Sequence, residues 1–263
     1  MQAPDHIAVV IPAFNEAEAL PSFLSEIRAS LDAMGATVSM IVVDDASTDE
    51  TASAATPLAD VVRIPRNRGH GPTALAAYAN GLRSGASVVV HVDGDGQFHG
   101  DDIARVAVAV DETGADVVHG VRHGRTDPWF RRTLSTLVRF AVLLVCGRSV
   151  PDVNTPLRAY RPDVLRTLLE AVPAEALVPH VHFSIAEARR RLRVRYVAVP
   201  SIPRRGSVTQ GTMWGARRSR ALLPPRRLVA FVTRAATEFW RVDIVGAGRG
   251  TSHPAHHDAA MRG

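Results

Sequence analysis

Hydrophobic positions in the first 120 residues fall into two alternating patterns. Short, near-continuous Val/Ile runs occupy Ile7 to Pro12, Ser39 to Asp45, Asp60 to Pro65, Ser87 to Asp93 and Asp116 to Val121. Between them, apolar residues recur at helical spacing over Glu18 to Met34, Asp49 to Ala55, Gly71 to Arg83 and Asp101 to Glu112. A strand that is apolar on both faces is one that is covered on both faces, the situation of a parallel sheet. Strands alternating with helices at this spacing predict right-handed βαβ units and an open, doubly wound, mostly parallel α/β sheet. In such sheets ligands bind outside the carboxyl ends of the strands, so the residues that follow each strand hold the chemistry.

Further along, RRTLSTLVRFAVLLVC (Arg131 to Cys146) reads as an amphipathic to apolar helix. Arg161 to Ala171 and His182 to Leu192 read as helices, and Val194 to Val199 as a strand. Pro200 to Gly215 is a basic Gly/Pro/Ser-rich loop, and the segment beyond it alternates Arg clusters with Leu, Phe and Trp. The expected organisation is a catalytic domain over 1–210, a basic amphipathic helical extension over 211–245 and a disordered tail over 246–263. No apolar stretch approaches the roughly 18 residues a spanning helix needs. The first apolar run lacks a basic leader and is interrupted by Pro12, Asn15 and Glu16, so it reads as a strand and not as a signal peptide. The expected location is cytoplasmic, peripheral on the inner face of the cell membrane.

Composition changes the picture in one respect. The chain has 263 residues, 46% of them hydrophobic and 22% charged, as an ordinary globular protein does. Its charge, however, is unevenly placed: 6 Arg stand against 17 acids up to Asp116, and 25 Arg against 9 acids after it. All 31 basic residues are Arg. An acidic half suits a metal ion, and a basic half suits phosphates or an anionic membrane surface. Cys146 is the sole cysteine, which excludes an intramolecular disulfide framework; it reads as a buried or membrane-facing thiol. No nucleic-acid recognition motif accompanies the basic residues.

The loop after the first strand, PAFNEAEA, has no G-x-G-x-x-G, and without Lys no P-loop exists. Phosphates must then be held by a metal, by Arg or by backbone N–H groups. The sharpest signal follows the fourth strand, in HVDGDGQFHGDD. Asp93, Asp95 and Gln97 lie two residues apart, separated by glycines that let the backbone approach a ligand. Their oxygens suit Mg²⁺ or Mn²⁺, and two carboxylates leave coordination positions for a diphosphate. A solvated acidic turn capping the next helix is the bland alternative. In VVDDASTDET, one of Asp44 and Asp45 is expected to bond turn amides and the other to face a ligand.

Taken in order, PAFNEAEAL, VVDDASTDET, RNRGHGPTAL, VDGDGQ, GVR and DVNTPLRAY resemble family 2 glycosyltransferases, whose GT-A fold is Rossmann-like. Within the family the chain is similar to the dolichyl-phosphate mannose synthase or polyprenyl-phosphate glycosyltransferase branch, over roughly Ile7 to Ser207. The resemblance implies that Asp93, Asp95 and Gln97 bind the metal and the donor diphosphate. It places Pro12, Phe14 and Glu16 against the nucleoside, Asp45 at the base edge and Arg122 on the donor. Asp152, Thr155 and Arg158 match a stretch near the active site, and Arg204 or Arg205 matches a phosphate clamp, with Arg205 preferred. Asp93, Asp95, Arg122 and Asp152 are thus the expected catalytic set. Departures are Phe14 for a usual Tyr, Pro156 and Leu157 for a usual Gly-Phe, and a loop, PRRGSVTQG, without the usual Lys.

The resemblance implies an inverting, metal-dependent transfer from GDP-mannose or a UDP-sugar to a polyprenyl or dolichyl phosphate. An alcohol acceptor would need a general base. The region PAEALVPHVHF offers only Glu175, His180 and His182, where the family often has a Glu-Asp pair. A phosphate acceptor is already anionic, so the deficit favours a lipid phosphate. His180 and His182 read as packing or surface residues, with a base role as the minority reading. His253, His256 and His257 lie in the expected tail. Two rivals remain: a soluble hydroxyl acceptor, and a catalytically idle nucleotide-sugar-binding or membrane scaffold. Arg131, Arg132, Arg139 and the Arg clusters from Arg217 to Arg234 suit an interfacial helix on anionic lipid, or a helix packed on the domain with its Arg face solvated.

Overall fold

The computed structural model describes residues 4–124, 129–147, 150–206 and 226–246, with the side chains of 129–132 and 226–227 left out. Seven strands form one sheet: β1 (His6–Ala13), β2 (Thr37–Asp44), β3 (Asp60–Arg63), β4 (Val88–His91), β5 (Val117–His123), β6 (Arg158–Tyr160) and β7 (Val194–Pro200). Their order is β3-β2-β1-β4-β6-β5-β7. All neighbours pair in parallel except β6, which is antiparallel to both β4 and β5.

The near-continuous apolar runs of β1, β2, β4 and β5 do face two cores, whereas β3, expected to be covered in the same way, is an edge strand left mostly exposed. Ile7, Val9 and Ile11 of β1 face one buried cluster, whereas Ala8 and Val10 face the other. The first cluster is roofed by α1 (Leu20–Asp32) and α4 (Gly100–Glu112). In α1 the buried residues are Leu20, Phe23, Leu24, Ile27 and Leu31, one stripe at helical spacing, and a proline in the first turn fits its start. In α4, Asp101 and Asp102 occupy the first turn, where the helix dipole favours negative charge. The second cluster lies under α3 (His70–Arg83), α6 (Pro162–Glu170) and α7 (Pro179–Arg189). The short α2 (Thr51–Ala55) links β2 to β3.

A third, smaller cluster joins α5 (Trp129–Cys146) to α7 through Val142, Val181 and Ile185. Phe239, the last residue of α8 (Arg226–Phe239), packs there too, followed by a π-helical turn, Trp240–Val245. Part of the expected extension is therefore a helix that packs on the domain. Residues 207–225, with Arg217, Arg218 and Arg220, and the expected tail from 247, with His253, His256 and His257, lie outside the described residues. Among the described residues no helix is long and apolar enough to cross a membrane. Cys146 is half-buried, with its Sγ 3.9 Å from the Ile185 carbonyl oxygen.

From β1 the chain runs outward through β2 to β3, and β4 then pairs on the other side of β1. The carboxyl ends of β1 and β4 thus flank the point at which strand order reverses, where doubly wound sheets open a crevice. β4 ends at His91, so Asp93 and Asp95 stand in the turn just beyond it.

Candidate active site

The crevice is built from backbone outward. Past β1, Asn15 takes a left-handed conformation (φ 56°), which an asparagine tolerates better than most residues. Its Oδ1 accepts the Thr48 N–H at 2.9 Å, and its own N–H donates to Ser47 Oγ at 3.0 Å. The Glu16 N–H donates to Thr51 Oγ1 at 2.8 Å. These bonds staple the loop after β1 to the loop after β2. Across the way, the Gly94 N–H reaches the Pro12 carbonyl at 3.3 Å, joining the acidic turn to β1. Gly96 has φ +67°, and a Cβ there would stand 2.6 Å from Arg205 Cδ. That position requires glycine on both counts.

Asp93, Asp95, Glu16, Arg204, Arg122 and Asp152 come together at this edge. Asp93 Oδ1 is buried with no hydrogen-bond partner among the described residues. His70 Nε2, at the start of α3, lies 3.7 Å from it. Burial, and then the Asp93 charge, push the Asp95 carboxyl up to about 6. Burial likewise pushes Glu16 up to about 7, against the pull of Arg204, with which it forms an ion pair. Arg122 Nε lies 3.2 Å from Asp152 Oδ2. Two carboxyls, Asp95 and Glu16, whose ionisation burial opposes, crowded beside Asp93, form a place where a cation lowers the energy.

The donor set fits a divalent ion that takes part of its coordination from substrate. Asp93 offers an orphaned oxygen, and Asp95 lies two residues on. Gln97 sits beside them, its N–H bonded to Asp95 Oδ1 at 3.2 Å and its side-chain nitrogen 3.5 Å from the Ile202 carbonyl. No group of three His, Cys, Asp or Glu converges on one point among the described residues. The remaining ligands would have to be water and phosphate oxygens, as is usual for Mg²⁺.

Two expectations shift. Arg205 is turned away from the carboxylates: it pairs with Glu26, donates from Nε to the Gly96 carbonyl at 3.2 Å and lies over the Phe23 ring at 5.2 Å. It braces the acidic turn from behind, while its neighbour Arg204 is the arginine that faces Glu16 and Asp95. At the end of β2, both acids bond turn amides. Asp44 Oδ1 accepts the Ser47 N–H at 3.0 Å and pairs through Oδ2 with Arg63 at 3.2 Å. Asp45 accepts the Arg68 and Gly69 N–H groups, each at 2.8 Å. The predicted division, one structural acid and one facing a ligand, is replaced by two turn anchors, because the RNRG turn folds back onto Asp45. Phe14 is half-buried and Pro12 buried at the end of β1, beside these turns.

Sequence reasoning missed the setting of Arg158. Its guanidinium is fully buried and donates to the carbonyls of Val153 (2.6 Å) and Thr155 (3.0 Å) and to Ser184 Oγ (3.1 Å). Glu187 lies 3.5 Å away and also pairs with His119 at 3.1 Å. The apolar Pro156-Leu157 ahead of RAY, and not its charge, was the available signal. His180 and His182 are both buried: His180 Nε2 lies 3.0 Å from Tyr78 OH, and His182 is gripped by Asp243 (2.6 Å) and Glu238 (2.8 Å). A separate cleft of about 320 Å³, lined by Val150, Glu187 and Tyr196 among others, lies away from the carboxylates.

A mostly parallel doubly wound sheet, with one antiparallel strand set in beside an acidic turn, defines the GT-A class of α/β folds. Glucosyl-3-phosphoglycerate synthase from Mycobacterium tuberculosis, solved with Mn²⁺, uridine diphosphate and glucosyl-3-phosphoglycerate, shares this fold. Its TM-score is 0.64 at 19% identity, over 91% of this chain and 80% of that one. The profile described as "Glycosyl transferase family 2" matches residues 8–169, and the chain belongs to that family. Relatives include the undecaprenyl-phosphate 4-deoxy-4-formamido-L-arabinose transferases of Edwardsiella ictaluri (strain 93-146) and Proteus mirabilis (strain HI4320). The first is 32% identical over 72% of this chain and 59% of its own length. The second is 33% identical over 66% and 54%. The chain thus spans under two thirds of the length of these relatives.

Proposed function

We propose that the chain transfers a sugar from a nucleoside diphosphate sugar to a polyprenyl phosphate, with a divalent cation, Mg²⁺ or Mn²⁺, held by Asp93, Asp95 and Gln97. The observation that carries the reading is the orphaned, buried Asp93 oxygen beside Asp95, whose ionisation burial holds back. Bound there, the cation would act as a Lewis acid on the charge that develops on the leaving diphosphate. Arg204 and Arg122 flank the same carboxylates and supply fixed positive charge to that diphosphate. Phe14 and Pro12 border the nucleoside, with Glu16 held by Arg204 at its edge.

The acceptor follows from the fate of the three base candidates. His180 and His182 are buried and bonded within the protein, and Glu175 pairs with Arg68. None is presented as a general base. A phosphate acceptor needs none, and attack by its anionic oxygen on the anomeric carbon inverts that centre in one displacement. The relatives' names, which specify undecaprenyl phosphate, point the same way. A peripheral site on the inner face of the cell membrane fits a lipid acceptor. Leu137, Phe140 and Leu144 stand exposed along α5 beside Arg139, a combination suited to anionic lipid.

Titrating GDP, UDP and their sugar conjugates calorimetrically, with and without Mn²⁺, tests the donor. Micromolar, metal-dependent binding of one nucleotide, lost in Asp95→Ala, is expected, and transfer to undecaprenyl phosphate with that donor should follow. Turnover on a soluble hydroxyl acceptor alone would move the reading to the first rival. Donor binding without transfer to either would leave a nucleotide-sugar scaffold.

A further inference from the structure

β4 and β6 pair antiparallel only as far as His91 and Arg158. Beyond that rung the two chains part: β4 leads to Asp93 and Asp95, and the chain before β6 is the loop that carries Asp152. His91 stands at this fork. Its side chain is fully buried, stacked on Tyr78 at 4.7 Å between ring centres and edge-on to His180 at 4.8 Å. Its Nδ1 lies 2.7 Å from the Pro156 carbonyl oxygen. A carbonyl only accepts, so Nδ1 carries the proton and donates.

The Asp152 loop is also fastened to β5, to its own strand and to α7, where Ser184 Oγ donates to the Val153 carbonyl at 3.5 Å. Thr155 Oγ1 donates to the Gly120 carbonyl at 2.5 Å, and the Gly120 N–H donates to the Leu157 carbonyl at 2.9 Å. A Cβ on Gly120 would stand 2.7 Å from Leu157, so the contact is close. Arg158 holds the Val153 and Thr155 carbonyls. The His91 bond adds a tie to β4, the strand whose end bears the carboxylates.

We infer that His91 is a positioning residue: by bonding the Pro156 carbonyl it fixes the Asp152–Arg122 pair relative to the Asp93–Asp95 turn. This rests on the transferase reading of that turn. His91 touches no reacting group; it sets the distance between two parts of the site that arrive from different strands. Misplacement on the ångström scale of groups that act on a transition state costs on the order of 100-fold in rate. In the proposed reading the cation site beyond β4 and the loop after β1 hold the ground-state donor, while Arg122 acts on the charge that develops on its diphosphate, so kcat should change more than donor affinity.

The test uses His91→Leu, His91→Asn and Tyr78→Phe in the full chain. Asparagine places an N–H close to the imidazole Nδ1 position, leucine offers none, and Tyr78→Phe disturbs the same core without touching the bond. Three measurements are made on each: donor titration with Mn²⁺, kcat and KM for transfer, and hydrogen exchange over residues 151–157. His91→Leu should lower kcat by roughly 10- to 100-fold with donor affinity within about two-fold. Exchange over 151–157 should rise, His91→Asn should restore both, and Tyr78→Phe should leave both in place. Equal losses in all three variants, or none in His91→Leu, would overturn the inference. Absence of nucleotide binding by the unaltered chain would sink the transferase reading instead. The exchange arm would then decide alone whether the bond holds the loop: no rise in His91→Leu overturns it, and a rise that His91→Asn reverses upholds it.

Discussion

His182 lies between two carboxylates, and its replacement should release the C-terminal helix. Nδ1 is 2.6 Å from Asp243 and Nε2 is 2.8 Å from Glu238, with the imidazole only 1% exposed. Carboxylates accept, so both ring nitrogens must donate and the docked ring is an imidazolium. Burial pulls the pKa down, but the bonds and charges of Asp243 and then Glu238 outweigh it, and the net shift is upward from 6.5. Glu238 also caps the Leu177 N–H at 2.9 Å, and the Asp243 carbonyl accepts from Arg189. A group whose folded pKa is raised stabilises the fold fully below its unfolded value. That stabilisation is lost as pH rises through the folded value.

Removing one partner of a buried charge pair costs about 3–5 kcal/mol, because the other charge is stranded. Glu238 keeps its Leu177 amide and some solvent, so the low end, ~3 kcal/mol, is the appropriate figure, on the order of 100-fold in a docking equilibrium. The loss should be local. Among the described residues of this segment only Leu228 and Asp243 are buried, with Phe239 packed at the third cluster, so the segment can open without the sheet. Hydrogen exchange of residues 228–246, corrected for intrinsic rate, is the assay. Protection in the unaltered chain should decline from pH 6 toward pH 9, and His182→Leu should abolish both the protection and its pH dependence while β1 and β4 stay protected. Protection that is independent of pH, or that survives in His182→Leu, would refute the reasoning.

Asp95→Asn should stabilise the metal-free protein while abolishing metal-dependent nucleotide binding. The raised carboxyls of Asp95 (about 6) and Glu16 (about 7) make the folded state lose stability as pH rises from about 4 to 7, so Tm without divalent ion should fall across that window and Mn²⁺ should oppose the fall. Gly96→Ala should cost about 1–3 kcal/mol and weaken donor binding, since it strains a left-handed residue and drives a methyl into Arg205; an unchanged denaturant midpoint would count against this. Arg158→Lys should lower stability by roughly 3–5 kcal/mol, because an ammonium cannot serve two carbonyls, Ser184 and Glu187 in the guanidinium's geometry; denaturant unfolding at fixed pH reads it.

Five of the seven strands, the helices between them and the carboxylate turn were legible along the chain, for a common reason. A buried parallel strand needs an unbroken apolar run, and a helix on it needs an apolar stripe; both are written in consecutive residues. β7 was legible too, but β6 was not. Its three residues are too short to show a period, and it is a strand only because β4 and β5 stand on either side of it. Arg204 and Arg205 are neighbours that point to opposite sides of one turn. Which of them faces the carboxylates was settled by Phe23 and Glu26, 182 and 179 residues from Arg205 in sequence. Likewise Asp45 looked available until the RNRG turn closed on it, and His182 looked like packing until Glu238 and Asp243 arrived from 56 and 61 residues downstream. The sequence by itself determined every strand but β6, the helices between them and the acidic turn, because these follow from local periodicity and from the chemistry of a few adjacent side chains. The tertiary structure decided which charges meet, because an ion pair or a buried hydrogen bond depends on distances that only the closed chain sets.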